Sequence, residues 1–123
     1  MKDLKFHQIV KNNKELNIFF SDDKQKINVS LLSNISIHQL KPIIEYNFRF
    51  NKLNVDVTLK EYDNIIQESS TINKNDIVIV FWEIINIIES FPFEFINFDE
   101  NRKKLFYEKI TGELDLLFNN LEK

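Results

Sequence analysis

The sequence predicts an α/β domain: a parallel sheet of at least three strands, flanked by helices and preceded by an N-terminal helix. Two observations carry this. Three short β-rich runs, at 27–32, 53–59 and 77–81, are separated by segments whose apolar residues recur at helical spacing. The resulting order β-α-β-α-β argues for a parallel sheet with right-handed crossovers. A chain of 123 residues has room for one such domain and not for two. Residues 1–26 read as a helical segment and 27–123 as the α/β domain, either whole or the front part of a larger one.

Each element follows from a local pattern. Over 3–20, Phe6, Ile9, Val10, Leu16 and Phe20 stand at helical spacing around the polar run 11–15, which predicts a short amphipathic helix or helix pair bracing the domain. Residues 21–26 are a polar loop, and 27–32 has the length and composition of a strand. Ile37, Leu40, Ile44 and Phe48 then repeat with a helical period, so a helix is expected to end near Asn51 and Lys52. Pro42 fits if that helix starts at residue 38 or later, because proline is tolerated in a first turn and breaks an interior. The strand 53–59 alternates apolar and polar residues, so one of its faces meets solvent or a partner. A short helix follows, capped by Asp63 or Asn64. After a turn at 73–76, Ile77-Val78-Ile79-Val80-Phe81 is an unbroken apolar run, the pattern of a strand buried on both faces at the centre of a sheet. Segment 84–98 contains Pro92 and reads as a turn of helix plus a loop. Phe106, Ile110, Leu114, Leu117 and Leu121 mark a last helix with Asp99 as its cap, and Gly112 inside it costs about 1 kcal/mol against alanine.

Composition removes several chemistries. There is one Gly where average usage gives about nine, and phosphate-cradling loops need several, because backbone amides must approach where a Cβ would collide. With no Cys, disulfides, thiolate metal sites and thiol nucleophiles are excluded, and two His remain as soft ligands. No cofactor and no metal are expected. Sixteen Lys and Arg against 19 Asp and Glu give a net charge of −3 without a dense basic stripe, which argues against nucleic-acid binding. The apolar stretch 77–82 is far short of the about 20 residues that span a bilayer, and the N-terminus lacks the apolar core of a signal peptide. The expectation is a cytoplasmic protein without a membrane role. Absence of Ala and heavy use of Ile, Asn and Lys match the coding bias of an AT-rich genome. Three strands also leave two sheet edges, and edges attract pairing partners.

The run 27–42, Ile-Asn-Val-Ser-Leu-Leu-Ser-Asn-Ile-Ser-Ile-His-Gln-Leu-Lys-Pro, resembles the "(I/V)-x-(I/L)-L-S-N-x-T-x-x-x-L-x-P" opening of FkbH-like proteins, the haloacid-dehalogenase (HAD) subfamily IIIC group. Residues 62–69 are similar to the family's "Y-D-x-x-x-Q-x-x" segment, and 76–83 with Asn86 to its "D-x-V-(I/V)-(I/V)-x-(W/L)-E-x-x-N" strand and turn. The resemblance runs from about residue 4 to the C-terminus. It implies an N-terminal domain with a flavodoxin-like, SGNH-hydrolase-like fold. Its implied role is non-catalytic binding or assembly in a glyceryl- or acyl-transfer context. The implied partners are a HAD-like phosphatase domain or an acyl carrier protein, with a homo-oligomer as the other expected association. The D-x-D-x-[TV] of the phosphatase chemistry is missing, since Asp56-Val57-Thr58 offers one Asp.

The SGNH likeness also raises an alternative, a degenerate esterase using Ser33. An α/β sheet collects its loops at the carboxyl ends of the strands, which places Ser33 and Asn34 after the first strand and Glu83 and Asn86 after the third. Aligning the "G-D-S-x-T" block with 32–36 puts Asn34 at the serine position, and shifting to Ser33 loses the Asp. No D-x-x-H is present, and a serine without an aligned base is a weak nucleophile. A phosphoacceptor domain lacks its Asp, because the third strand ends in Phe81-Trp82-Glu83. The cleft candidates are therefore Ser33, Asn34, Ser36, His38, Trp82, Glu83 and Asn86. Against this, Ser33, Asn34 and Ser36 suit a turn and helix cap, Trp82 suits a core cover, and His7 suits an exposed place on the brace helix. The stretch 91–98 holds four of the 12 Phe and reads as core, or as a binding patch if exposed.

Overall fold

The structure is a computed structural model, in which residues 3–22, 25–74, 76–87 and 94–123 are described. Helix α1 (Phe6–Phe19) precedes β1 (Ile27–Ser33), α2 (Leu40–Phe50), β2 (Val55–Leu59), α3 (Ile65–Ser69) and β3 (Ile77–Phe81). Two 3-10 turns, Ile84–Asn86 and Phe95–Asn97, lead to the 22-residue α4 (Glu100–Leu121). The strands are all parallel in the order β2-β1-β3. This is the order in which flavodoxin-like doubly wound sheets begin.

Pleating divides the core between two helical layers. Val29 and Leu31 of β1 and Val55 and Val57 of β2 point to one face, where Leu40, Ile44 and Phe48 of α2 cover them. Leu32 of β1 faces the other way and packs with Ile65 of α3 and Leu117 of α4, next to Val78 and Val80. On β2 the alternation leaves Asp56 and Thr58 exposed, as its sequence predicts. No helix among the described residues is long and apolar enough to cross a bilayer.

The expectation for 77–81 is corrected for the described strands: β1 holds the centre of the three, and β3 stands beside it on the outer side. Residues 78–81 are half-buried and Ile77 is 43% exposed, whereas five consecutive residues of β1 are buried. The apolar run on β3 reflects contact with both helical layers, Ile79 and Phe81 on one side and Val78 and Val80 on the other. It does not reflect two strand neighbours. Asn28, Ser30 and Ser33 interrupt β1 and disguise its central place.

Helix α1 is a single helix and packs on α2. Ile9, Val10, Leu16 and Phe20 are half-buried, Phe6 is exposed, and the polar run contributes the buried Asn13. Asn13 Nδ2 donates to Glu45 Oε2 (2.7 Å), Arg49 Nη1 donates to Asn13 Oδ1 (2.6 Å), and Arg49 Nη2 donates to the Val55 carbonyl (3.2 Å). Arg49 thus joins two helices and a strand, leaving its Nε without a partner.

Helix ends follow the local chemistry with one exception. Asp99 caps α4 by accepting from the Arg102 amide (2.7 Å), and α2 starts at Leu40, which leaves Pro42 in its first turn. At the end of α2 the Leu53 amide donates to Phe48 O (3.0 Å) and the Lys52 amide to Arg49 O (2.9 Å), the Schellman pattern, with Lys52 at φ 63° where glycine is the usual residue. Leu53 is thereby used to close the helix, and β2 starts at Val55. The exception is α3: Asn64 holds the N-cap position, but its amide donates to Glu61 Oε2 (3.0 Å) instead of capping, and Asp63 takes a left-handed φ of 56°. Of the stretch 91–98, Phe98 is buried in a ring cluster with Phe95 (5.6 Å between centroids) and Phe106 (6.4 Å), while Ile96 is exposed. Phe91, Pro92 and Phe93 lie outside the described residues.

Candidate functional site

In a sheet ordered β2-β1-β3, the chain leaves β1 toward one side and later returns to its other side. The carboxyl ends of β1 and β3 therefore flank a crevice, the place where open α/β sheets bind ligands.

The side chain that builds its floor is Asn34, 2% exposed. Its Oδ1 accepts from the Glu83 amide (2.7 Å) and its Nδ2 donates to the Glu83 carbonyl (2.9 Å). A carboxamide presents the same donor and acceptor pair as a peptide group, so Asn34 stands in for a strand neighbour and ties the β1 loop to the β3 loop. Asn86 completes the clasp, its Nδ2 donating to Glu83 Oε2 (2.9 Å) and to the Asn34 carbonyl (3.3 Å).

Ser33 is buried and turned into its own loop. Its Oγ donates to the Ile35 carbonyl (2.6 Å) and accepts from the Ile35 amide (2.9 Å), and its carbonyl accepts from the Asp63 amide (2.9 Å). The hydroxyl proton is held by a carbonyl, with no imidazole on it. Ser36 and His38 are exposed and line, with Ser33, a small cavity of about 160 Å³ beside Lys60 and Tyr62. Among the described residues no hydrogen bond joins His38 to Ser33. His7 is exposed on α1.

The seven predicted residues therefore divide. Ser33, Ser36 and His38 lie at the β1–β2 side, while Asn34, Trp82 and Asn86 line the crevice between β1 and β3, and Glu83, exposed and outside the lining, is bonded to Asn34 and Asn86. The crevice measures about 460 Å³ and is walled by Ile65, Ile66 and Gln67 of α3 on one side and by Lys109, Glu113 and Leu116 of α4 on the other. Asp63, Trp82 and Ile87 close its upper rim. Asn120 fastens the two helices at the far end, donating to the Ile66 carbonyl (3.2 Å) and to Ser69 Oγ (3.0 Å). Trp82 is half-buried, packing against the Leu32–Ile65–Leu117 cluster with one part and lining the crevice with another.

Three charged side chains meet there: Asp63, Lys109 and Glu113. None is in an ion pair or a side-chain hydrogen bond among the described residues. No cluster of His, Asp and Glu among the described residues is arranged to hold a metal ion. A wider groove of about 780 Å³ runs along the outward face of α4, but its described lining comes from one helix, so no groups converge on it.

Gln67, Lys109, Glu113 and Leu116 were not among the sequence candidates. Lys109, Glu113 and Leu116 flank the stripe of buried Phe106, half-buried Ile110 and buried Leu117 on α4, so a helical projection locates them at its margin. What that projection lacks is the knowledge that α3 stands opposite. Set against family models, curated proteins and solved structures, the chain has no match.

Proposed function

We propose that this chain is a non-catalytic binding and assembly module that takes a small polar molecule into the crevice between the carboxyl ends of β1 and β3. One observation carries this reading: Asp63, Gln67, Lys109 and Glu113 line that crevice with no ion pair or side-chain hydrogen bond among the described residues, over a floor that Asn34 and Asn86 fasten. The Ser33 hydroxyl has its one proton on the Ile35 carbonyl and accepts from the Ile35 amide within its own turn.

The wider setting belongs to the same proposal. The module acts as does the N-terminal domain of an FkbH-like protein, beside a HAD-like phosphatase domain or an acyl carrier protein. The strand order and the absence of any described strand pairing the outer sides of β2 and β3 support this.

Trp82 is the only tryptophan and lines the crevice, so its emission reports occupancy. Titration of the whole chain with amino acids, hydroxy acids, polyols and nucleosides is expected to give saturable change with at least one class. If none shifts Trp82 at millimolar concentration, the crevice is not a ligand site and the reading fails.

A further inference from the structure

Resting on that reading, we infer that the crevice's ligand is a small zwitterion: an α-amino acid-type compound with one ammonium, one carboxylate and an apolar side chain. The lining carries two negative groups and one positive one, Asp63, Glu113 and Lys109. An anion such as a phosphate or a dicarboxylate would gain Lys109 and be opposed by both carboxylates. A simple amine would gain the carboxylates and leave Lys109 unmatched, and a neutral polyol would leave all three charges without a counter-charge. A molecule with both signs gives Lys109 a carboxylate and offers the two carboxylates one ammonium to share, whose three donors can serve both.

The order of the groups along the crevice sets the orientation. Asn120 and Leu121 lie beside Asp76 and Val78 at the start of β3, whereas Lys109 and Glu113 line the crevice with Asn34 and Asn86 at the strand ends, so α4 runs downward from the strand ends. At about 1.5 Å of rise per residue, Glu113 lies about 6 Å below Lys109 and Leu116 about 10 Å below it. Lys109 and Asp63 are exposed, Glu113 is half-buried, and the half-buried Ile66 and the partly exposed Leu116 supply the apolar lining. The charged head of the ligand sits at the mouth and its side chain lies between α3 and α4. Lys109 and Glu113 are one helical turn apart in the Lys-to-Glu order, the less favourable one for an ion pair, and they form none. Ligand entry therefore breaks no existing bridge.

The test compares three probes on the whole chain by calorimetry and Trp82 emission: L-leucine, 4-methylpentanoate, which lacks the ammonium, and 3-methylbutylamine, which lacks the carboxylate. Leucine is expected to bind saturably, and each truncated probe at least about tenfold more weakly, the factor one charge-assisted hydrogen bond carries. Lys109→Met is expected to weaken leucine by a similar factor and leave the amine unchanged. Asp63→Asn, which keeps a residue tolerant of the left-handed backbone, is expected to weaken leucine and leave the acid unchanged. Equal binding of leucine and either truncated probe overturns the inference, as does leucine binding that neither variant alters. If polyols, nucleosides or hydroxy acids shift Trp82 and leucine does not, the inference falls while the binding reading stands. If nothing shifts Trp82, both fall.

Discussion

Replacing Asn34 by aspartate keeps the shape of the side chain and changes one atom, the Nδ2 that donates to the Glu83 carbonyl at 2.9 Å. The bond from the Glu83 amide to Oδ1 survives. On the other side a carboxylate oxygen now faces a carbonyl oxygen at a site 2% exposed. An unsatisfied buried carbonyl costs about 1–3 kcal/mol, and the oxygen–oxygen repulsion raises the expected loss to about 2–4 kcal/mol. Against the about 5–15 kcal/mol stability typical of a domain the variant still folds, and with a urea m-value of about 1–3 kcal/mol/M its midpoint falls by roughly 1–2 M.

The pH dependence is the sharper readout. A protonated carboxyl can donate to the Glu83 carbonyl and restore the native pattern, so folding favours the protonated form and raises the new group's pKa above its unfolded value of about 3.9. The folded state then binds more protons than the unfolded one. The penalty is nearly absent below about pH 4 and grows as pH rises through the raised pKa. Urea midpoints of the variant and the parent, compared at each pH, cancel the titration of every other carboxylate. Asn34→Ala, which strips both partners of Glu83, is expected to lose stability to the same extent at every pH. A penalty for Asn34→Asp that stays flat from about pH 3.5 to 8, or lies below about 0.5 kcal/mol, would refute the clasp.

Three further outcomes are expected. Gly112→Ala places a Cβ in open space inside a helix and should add about 1 kcal/mol, raising Tm by about 4 °C, and Lys52→Gly should add a comparable amount at the left-handed end of α2; calorimetry that shows neither gain contradicts both. Arg49→Ala should cost about 2–4 kcal/mol by stranding Asn13 Oδ1 and the Val55 carbonyl, while Glu45 keeps Asn13 and Lys41; Arg49→Met should cost less because it fills the same volume, although it does not restore those partners, and denaturant unfolding that ranks the two the other way contradicts this account. Ser33→Ala should lower stability by about 1–2 kcal/mol through loss of its turn, with no change in ligand response at Trp82; ester turnover that disappears in this variant would instead make Ser33 a nucleophile.

What was legible in the sequence was local. Ile37, Leu40, Ile44 and Phe48 announce α2, Pro42 sets its earliest start, and Asp99 marks where α4 begins, because periodicity and caps depend on near neighbours. Sheet order was less legible, since Ile77–Phe81 is apolar for contact with two layers whether or not strands pair on both sides, and the Ser and Asn residues of β1 hide its central position. Of the candidate site, Asn34, Trp82 and Asn86 were found because α/β topology gathers loops at strand ends. Their roles were not, because Asn34's partner lies 49 residues away and nothing local indicates that its amide is already engaged. Asn13 escaped for the same reason, a polar residue in a polar run whose burial depends on Arg49 across a helix interface.

The hydrogen bonds from Asn120 to the far end of α3 have a consequence for when the crevice exists. A five-residue helix is too short to persist alone in water, so α3 keeps its shape through its packing on Leu32 of β1 and on the last turns of α4. During synthesis the wall contributed by residues 65–67 waits on residue 120, which follows Ile66 by 54 residues in the chain. In the finished protein the same linkage couples fraying of α4 to the crevice, so any occupant slows amide exchange in the last turns of α4, beyond the residues that line the crevice.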